Sequence, residues 1–276
     1  YNVGTTNVVW IVTDASGNTA SCSHNVNIYD IQNPTITCPA NITVGTDATT
    51  CNSSTVSLGT PTTGDNCIVS STVNNGSSPY SLGNHFIQWI VTDPSGNTAF
   101  CYQTLTIVDD DNPTITCPGD ITVDMDAGLC TASGVGLGTP TTDDNCTVAT
   151  ISNNAIEPYS PGVNNITWTV TDGAGNTAIC MQNVTVEDNE DPTITCPTNI
   201  TVDADAGICT ASGVTLGTPT TDDNCTVATV SNNSAEPYAI GSNNLVWIVV
   251  DNSGNSTQCT QTVLVERVVK FFLAGL

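Results

Sequence analysis

Phe86-Ile87-Gln88-Trp89-Ile90-Val91-Thr92, the turn Asp93-Pro94-Ser95-Gly96-Asn97, and then Thr98 through Val108: this stretch decides the fold. β-Branched and aromatic side chains dominate both arms, which is the composition of strands. Five turn residues join them, with Gly96 or Asn97 able to supply the positive φ that a tight reversal requires. The segment is therefore a β-hairpin. Trp89, on the arm before the turn, reads as a core anchor, because aromatic side chains of this size fill sandwich interiors.

Working outward, the same landmarks return every 79 residues. Trp10, Trp89, Trp168 and Trp247 keep that spacing, as do Cys22, Cys101, Cys180 and Cys259, and Cys38, Cys117 and Cys196. Residues 131–150 and 210–229 differ only at Gly136 against Thr215. A fixed period of this length means an array of small domains. The expected organisation is a partial repeat at 1–30 that contains only the closing hairpin, full repeats at 31–109, 110–188 and 189–266, and an apolar tail at 267–276.

Within 31–109 the pattern predicts a first strand broken by Pro39, at 34–38 and 42–44. A second strand is expected at Thr55–Leu58, a polar loop at 62–66, a third strand around 67–73, and the hairpin. No stretch has a 3.6-residue apolar period, so no helix is expected. Short strands between regular turn signals define an all-β chain of tandem β-sandwiches.

Composition narrows the function. The chain has 26 acidic residues against two basic ones, and both basic residues, Arg267 and Lys270, lie in the tail. The repeats thus have no cationic side chain for nucleic acid phosphates, and nucleic acid is excluded as a partner. The tail is far shorter than the ~20 apolar residues of a membrane-spanning helix, so no membrane span is expected. The 13 cysteines are one in the partial repeat and four in each full one, with no CxxC pair. Separated cysteines in small β domains read as disulfides and place the chain outside the cell or on its surface. Four cysteines allow three pairings. Strand directions make bonds between neighbouring repeats conceivable, but two bonds within each repeat are the simpler expectation, with Cys22 left over.

Three motifs then carry a resemblance. Pro-Thr-Ile-Thr-Cys-Pro opens each full repeat (34–39, 113–118, 192–197), Asp-Asn-Cys stands in the middle (65–67, 144–146, 223–225), and Thr-Asp-x-x-Gly-Asn-Thr-Ala-x-Cys closes it (92–101, 171–180). The ending is also seen at 13–22 and, loosened, at 250–259. Each unit resembles the hyalin repeat (HYR) domain, an immunoglobulin-like extracellular module. The resemblance implies immunoglobulin-like β-sandwiches in an extended rod, an adhesive or structural role, and no catalytic activity.

The acids are clustered rather than scattered. They stand in the linkers before each opening proline (Asp30; Asp109, Asp110, Asp111; Asp188, Glu190, Asp191), before the middle cysteine (Asp143, Asp144; Asp222, Asp223), at the hairpin (Asp172, Asp251) and in the turn after the broken strand (Asp124, Asp126). Strand direction brings the linker, loop and hairpin acids of one repeat to the turn acids of the repeat before it. Carboxylates 4 Å apart repel by ~4 kcal/mol per pair at an effective dielectric near 20. With no Lys or Arg at hand, a cation is the remedy, and clustered oxygen ligands suit Ca²⁺. These fifteen residues are the expected metal ligands, and the Asp-rich linker before proline also looks like the calcium linkers of cadherins. A single Asp in such a turn reads better as a solvated local cap; it is the linker clusters that point to Ca²⁺.

His24 and His85 fall at non-equivalent repeat positions, so no catalytic constellation recurs and no enzyme is expected. Asn-x-Ser/Thr sequons, Asn41 and Asn75 among them, arise readily by chance in an Asn- and Thr-rich chain. The resulting expectation is a calcium-stiffened surface stalk or filament subunit that self-associates or meets neighbouring surface proteins. The alternative is an adhesin binding glycan or protein through its sandwich loops.

Overall fold

The computed structural model describes residues 1–268; residues 269–276, most of the apolar tail, lie outside the described residues. Every regular element among the described residues is a β-strand. The chain folds as two compact units. The first comprises Tyr1–Thr114, Thr142–Ile151 and Val170–Ala178, and the second Ile115–Thr141, Ser152–Thr169 and Ile179–Leu276.

In the first unit, residues 31–109 form a four-stranded sheet in the order Ile42–Gly45, Thr98–Val108, Gly83–Thr92, Ser71–Asn74. The predicted hairpin is its centre, running antiparallel from Thr98 opposite Thr92 to Ile107 opposite Gly83. The second half of the broken strand adds in parallel, Ile42 opposite Leu105. Two short antiparallel pairs, Thr35–Thr37 with Thr62–Gly64 and Asn52–Ser53 with Tyr80–Ser81, complete the sandwich. Gly96 has φ 92° and makes the hairpin turn.

Alternation along the hairpin buries Ile87, Trp89, Leu105 and Ile107 with Tyr80, and Ile36, Val44, Val56 and Leu58 pack against them. Gln103 is also wholly buried. Its side chain accepts a bond from Trp89 Nε1 at 3.1 Å and donates to the Ala40 and Leu58 carbonyls at 2.7 and 3.1 Å. One amide thus satisfies the indole and two loop carbonyls that burial would otherwise leave unpaired.

Two local expectations need correction. Thr55–Leu58 is not a strand; Val56 and Leu58 point inward, but their backbone has no ladder partner, and Asn52–Ser53 pairs instead. The polar segment read as a loop supplies strand Thr62–Gly64, and the third strand is shortened to Ser71–Asn74. Residues 4–28 form a two-stranded hairpin, Gly4–Thr13 with Thr19–Ile28. There Trp10 is 64% exposed, against 6–7% for Trp89, Trp168 and Trp247.

The second unit repeats this plan. Residues 189–266 form a sheet ordered Ile200–Asp203, Ser256–Glu266, Gly241–Asp251, Val227–Asn232, again with a parallel outer strand. Its core is Ala211, Tyr238, Leu245, Val263 and Val265. The same unit holds the core of the middle repeat, around Trp168, Tyr159, Ile166, Val184 and Val186. Trp168 and Trp247 donate to Gln182 and Gln261 at 3.0 and 3.1 Å.

The disulfides overturn the expectation of two bonds within each repeat. One bond is internal, joining the first and fourth cysteines: Cys38–Cys101, Cys117–Cys180 and Cys196–Cys259. The other crosses repeats, from the second cysteine of one to the third of the next: Cys51–Cys146 and Cys130–Cys225. The physical reason is polarity. The second cysteine follows the turn at one pole of its sandwich, and the third lies in the loop at the opposite pole, so the third cysteine of the following repeat is the near one. Cys22, Cys67 and Cys209 are free and exposed.

Candidate metal centre

Three carboxylates from three elements converge in the first unit. Asp109 follows strand Thr98–Val108, Asp144 belongs to the Asp-Asn-Cys loop, and Asp172 ends strand Gly162–Asp172. Each offers an oxygen within 4.8 Å of the others. Asp109 and Asp172 are buried, at 8% and 2% exposure.

The turn builds this cluster first. Asp172 Oδ1 accepts the backbone N–H groups of Ala174, Gly175 and Asn176 at 2.9, 2.6 and 2.8 Å, and its Oδ2 accepts Asn176 Nδ2 at 2.8 Å. Burial pushes this carboxyl up, but the bonds from the Asn176 side chain and from the turn backbone outweigh it and hold it below the ordinary Asp value. The same Asn176 amide donates to the Asp109 carbonyl at 3.2 Å, fixing the linker over the hairpin. Asp144 caps its own loop by accepting Cys146 N–H through Oδ2 at 3.0 Å.

What remains is a set of oxygens with nothing to accept. Asp109 Oδ1, Asp144 Oδ1 and Asn145 Oδ1 are buried and have no donor among the described residues. Burial, and then the charges of Asp144 and Asp172, push the Asp109 carboxyl up. A buried charge that is neither paired nor hydrogen-bonded costs several kcal/mol in a protein interior, as an order of magnitude. A cation removes that cost. Carboxylates with an amide oxygen form a hard, all-oxygen donor set, which suits Ca²⁺.

The second unit repeats the arrangement with Asp188, Asp223 and Asp251. Asp251 accepts Ser253, Gly254 and Asn255 N–H groups, and Asn255 Nδ2 reaches the Asp188 carbonyl at 3.0 Å. Asp188 is better supplied than Asp109, since Asn224 Nδ2 and Ser253 Oγ both donate to it at 3.2 Å. Asp223 Oδ1 and Asn224 Oδ1 are again buried without a donor.

A third cluster is Asp30, Asp65 and Cys67, the last exposed. Here Asp30 Oδ2 and Asp65 Oδ1 lack donors. A hydrogen bond to Asp30, then burial and the nearby carboxylate charges, push the Cys67 thiol up.

The other expected ligands lie outside these clusters. Asp124 accepts Asn189 Nδ2 at 2.7 Å, Asp126 accepts Ser133 Oγ at 2.6 Å, and Glu190 accepts Gly128 N–H at 2.9 Å. The first and last of these bonds tie the turn after the broken strand to the linker that follows, and the Asp126 bond closes the turn on itself; none adds a carboxylate to the cluster. Asp143 and Asp222 accept the N–H of the next residue. Asp111 accepts Asn145 Nδ2 at 3.1 Å, the Asp110 carboxylate lies against Gly45 where a Cβ would collide with it, and Asp191 is exposed. The sequence reading missed Asn145 and Asn224. Their signal was present, since the Asn of Asp-Asn-Cys recurs in all three full repeats.

Tandem β-sandwiches, each stapled through its core and strapped to its neighbour by disulfides, define an extracellular repeat protein, because five such bonds require an oxidising compartment. A family model for the HYR domain matches residues 29–107 and 187–265, more than half of the chain, and the chain belongs to this family. It is similar to hyalin from Lytechinus variegatus, at 28% identity over 97% of this chain and 53% of that protein, and to hyalin from Strongylocentrotus purpuratus, at 29% over 97% and 24%. It thus spans about half and about a quarter of those relatives. Among solved structures, the extracellular cadherin domains 1–4 of protocadherin gamma B7 align at 12% identity and TM-score 0.35 over 91% of this chain and 80% of that one. Mouse cadherin-23 EC22–24 aligns at 14% and 0.36 over 86% and 99%.

Proposed function

We propose that the chain is a non-enzymatic structural element, a surface stalk or filament subunit, whose modules are the repeats at 31–109, 110–188 and 189–266 with the closing hairpin at 1–30. Calcium at the Asp109–Asp144–Asp172 and Asp188–Asp223–Asp251 clusters stiffens it. One observation carries this reading: buried, donorless oxygens converge where linker, loop and hairpin meet, in a protein whose repeats contain no Lys or Arg. A cation joining these three elements would fix the angle between successive repeats. Small-angle scattering of the chain in calcium and in chelator tests it. The maximum dimension should be larger and more sharply defined with calcium, and identical profiles would refute the stiffening role.

An adhesin is the second reading, and one observation favours it. On the outer face of the first full repeat, Phe86, Phe100 and Tyr102 are exposed, the last two in edge-to-face contact. The equivalent positions are Asn165, Ile179 and Met181, and then Asn244, Gln258 and Thr260, so this face belongs to one repeat alone. Aromatic faces of this kind suit the apolar face of a sugar or a protein partner. Binding to a glycan array that is lost in F100S/Y102S would support it; no binding by the wild type would remove it.

A further inference from the structure

The Asp-Asn-Cys loop serves two purposes, and a single amide connects them. Asn145 lies between a cluster carboxylate, Asp144, and Cys146, which is bonded to Cys51 of the preceding repeat. Its Nδ2 donates to Thr46 Oγ1 at 2.9 Å and to the Asp47 carbonyl at 3.2 Å, both in that preceding repeat, and to Asp111 Oδ2 at 3.1 Å. Three acceptors around one end identify it as the NH₂ end, and Oδ1 is buried without a donor among the described residues. Asn224 repeats the pattern in part. Its Nδ2 donates to the Leu129 carbonyl of the preceding repeat at 3.4 Å and, unlike that of Asn145, to a cluster carboxylate, Asp188 Oδ1, at 3.2 Å; its own Oδ1 is buried without a donor among the described residues, and Cys225 is bonded to Cys130. At the first full repeat, Asn66 is exposed, Nδ2 has a single acceptor, Asp30 Oδ1, at 3.4 Å, and the adjoining Cys67 is free.

We propose that Asn145 and Asn224 are further cation ligands, and that cation binding is coupled through them to docking of the preceding repeat, which the cross-repeat disulfide makes permanent. This rests on reading the carboxylate clusters as cation sites. The preceding repeat holds the NH₂ end of the amide, and only then is the carbonyl end presented to the ion. A loop without that contact must be ordered at the moment of binding, and the ordering weakens affinity. Residues that orient a metal ligand in this way typically cost 10–100-fold in affinity when changed. Coupling is reciprocal, so an ion that favours the docked pair also opposes opening of the disulfide.

Calorimetric titration of the whole oxidised chain with Ca²⁺ tests this. Two tight sites are expected, and a weaker third at Asp30 and Asp65. C51S/C146S should weaken one tight site by about 10–100-fold and leave the Asp188 site as an internal reference. N145A, which keeps both cysteines, should act in the same direction, so misfolding of the double variant does not remove the test. In glutathione buffers, Ca²⁺ should shift the Cys51–Cys146 equilibrium towards the disulfide by the same factor that the disulfide adds to affinity. If C51S/C146S and N145A both bind as the wild type does, the coupling is wrong while the cation sites stand. If the wild type takes up no Ca²⁺, the cation reading fails and takes this proposal with it.

Discussion

The Asp109 and Asp30 clusters use the same loop in different circumstances. At Asp109 the loop is bonded to the preceding repeat through Cys146, Asn145 has three acceptors, and three carboxylates face one another. At Asp30 the corresponding cysteine is a free, exposed thiol, and Asn66 has one long bond. The residues are nearly the same, so the difference lies in what stands opposite them. The motif alone supplies ligands, and a docked, cross-linked neighbour supplies their geometry.

The sharpest way to break this comparison separates the two kinds of disulfide. C38S/C101S removes a bond across the first sandwich core and should lower its stability by about 4 kcal/mol in denaturant unfolding, from the loop it closes. C51S/C146S should instead leave hydrogen-exchange protection of that core intact and open residues 109–113 to protease. Core loss in both variants would mean that the bonds do not divide the work.

Next in size is Q182L, which leaves the Trp168 indole N–H and the Gly119 and Leu137 carbonyls buried without partners. It should destabilise the middle repeat by about 2–3 kcal/mol while calcium affinity at both strapped clusters stays unchanged. A parallel loss of calcium would show that the clusters read core packing rather than docking.

D144N keeps one oxygen and removes the charge, and should weaken calcium binding at its cluster at least about tenfold. D65N should change total uptake far less. Equal effects would erase the distinction between strapped and unstrapped loops.

The smallest effect concerns the hairpin turn. Burial raises the Asp93 carboxyl, but bonds from the Asn97 side chain and from the turn backbone overcome this and lower it. A lowered folded value contributes stability above the ordinary Asp value, lost as pH falls through the lowered one. D93N should therefore reduce Tm at pH 7, and the gap should close on acidification below the ordinary Asp range. A gap that widened in acid would reverse the assigned sign.

The hairpin, Trp89, the strand broken at Pro39 and the sandwich class were legible in the sequence, because alternation and turn chemistry are local. Thr55–Leu58 was misread because inward-pointing Val56 and Leu58 alternate whether or not their backbone finds a ladder. Thr62–Gly64 was missed because a short polar edge strand has no apolar signal. The carboxylates of the clusters announced themselves by charge, whereas Asn145 and Asn224 have none. Cross-repeat pairing depends on which poles face each other, and cysteine spacing does not encode that.

The three internal disulfides have a mechanical consequence. If the chain were pulled from its ends and its sandwiches unravelled, the taut covalent path from Cys38 to Cys259 would cross Cys38–Cys101, run from Cys101 to Cys117, cross Cys117–Cys180, run from Cys180 to Cys196, and cross Cys196–Cys259. That is about 110 Å of extended backbone, in place of the roughly 750 Å between the same points in a reduced chain. Tension that tore the β-sheets apart would leave most of the chain's hidden length locked inside closed loops.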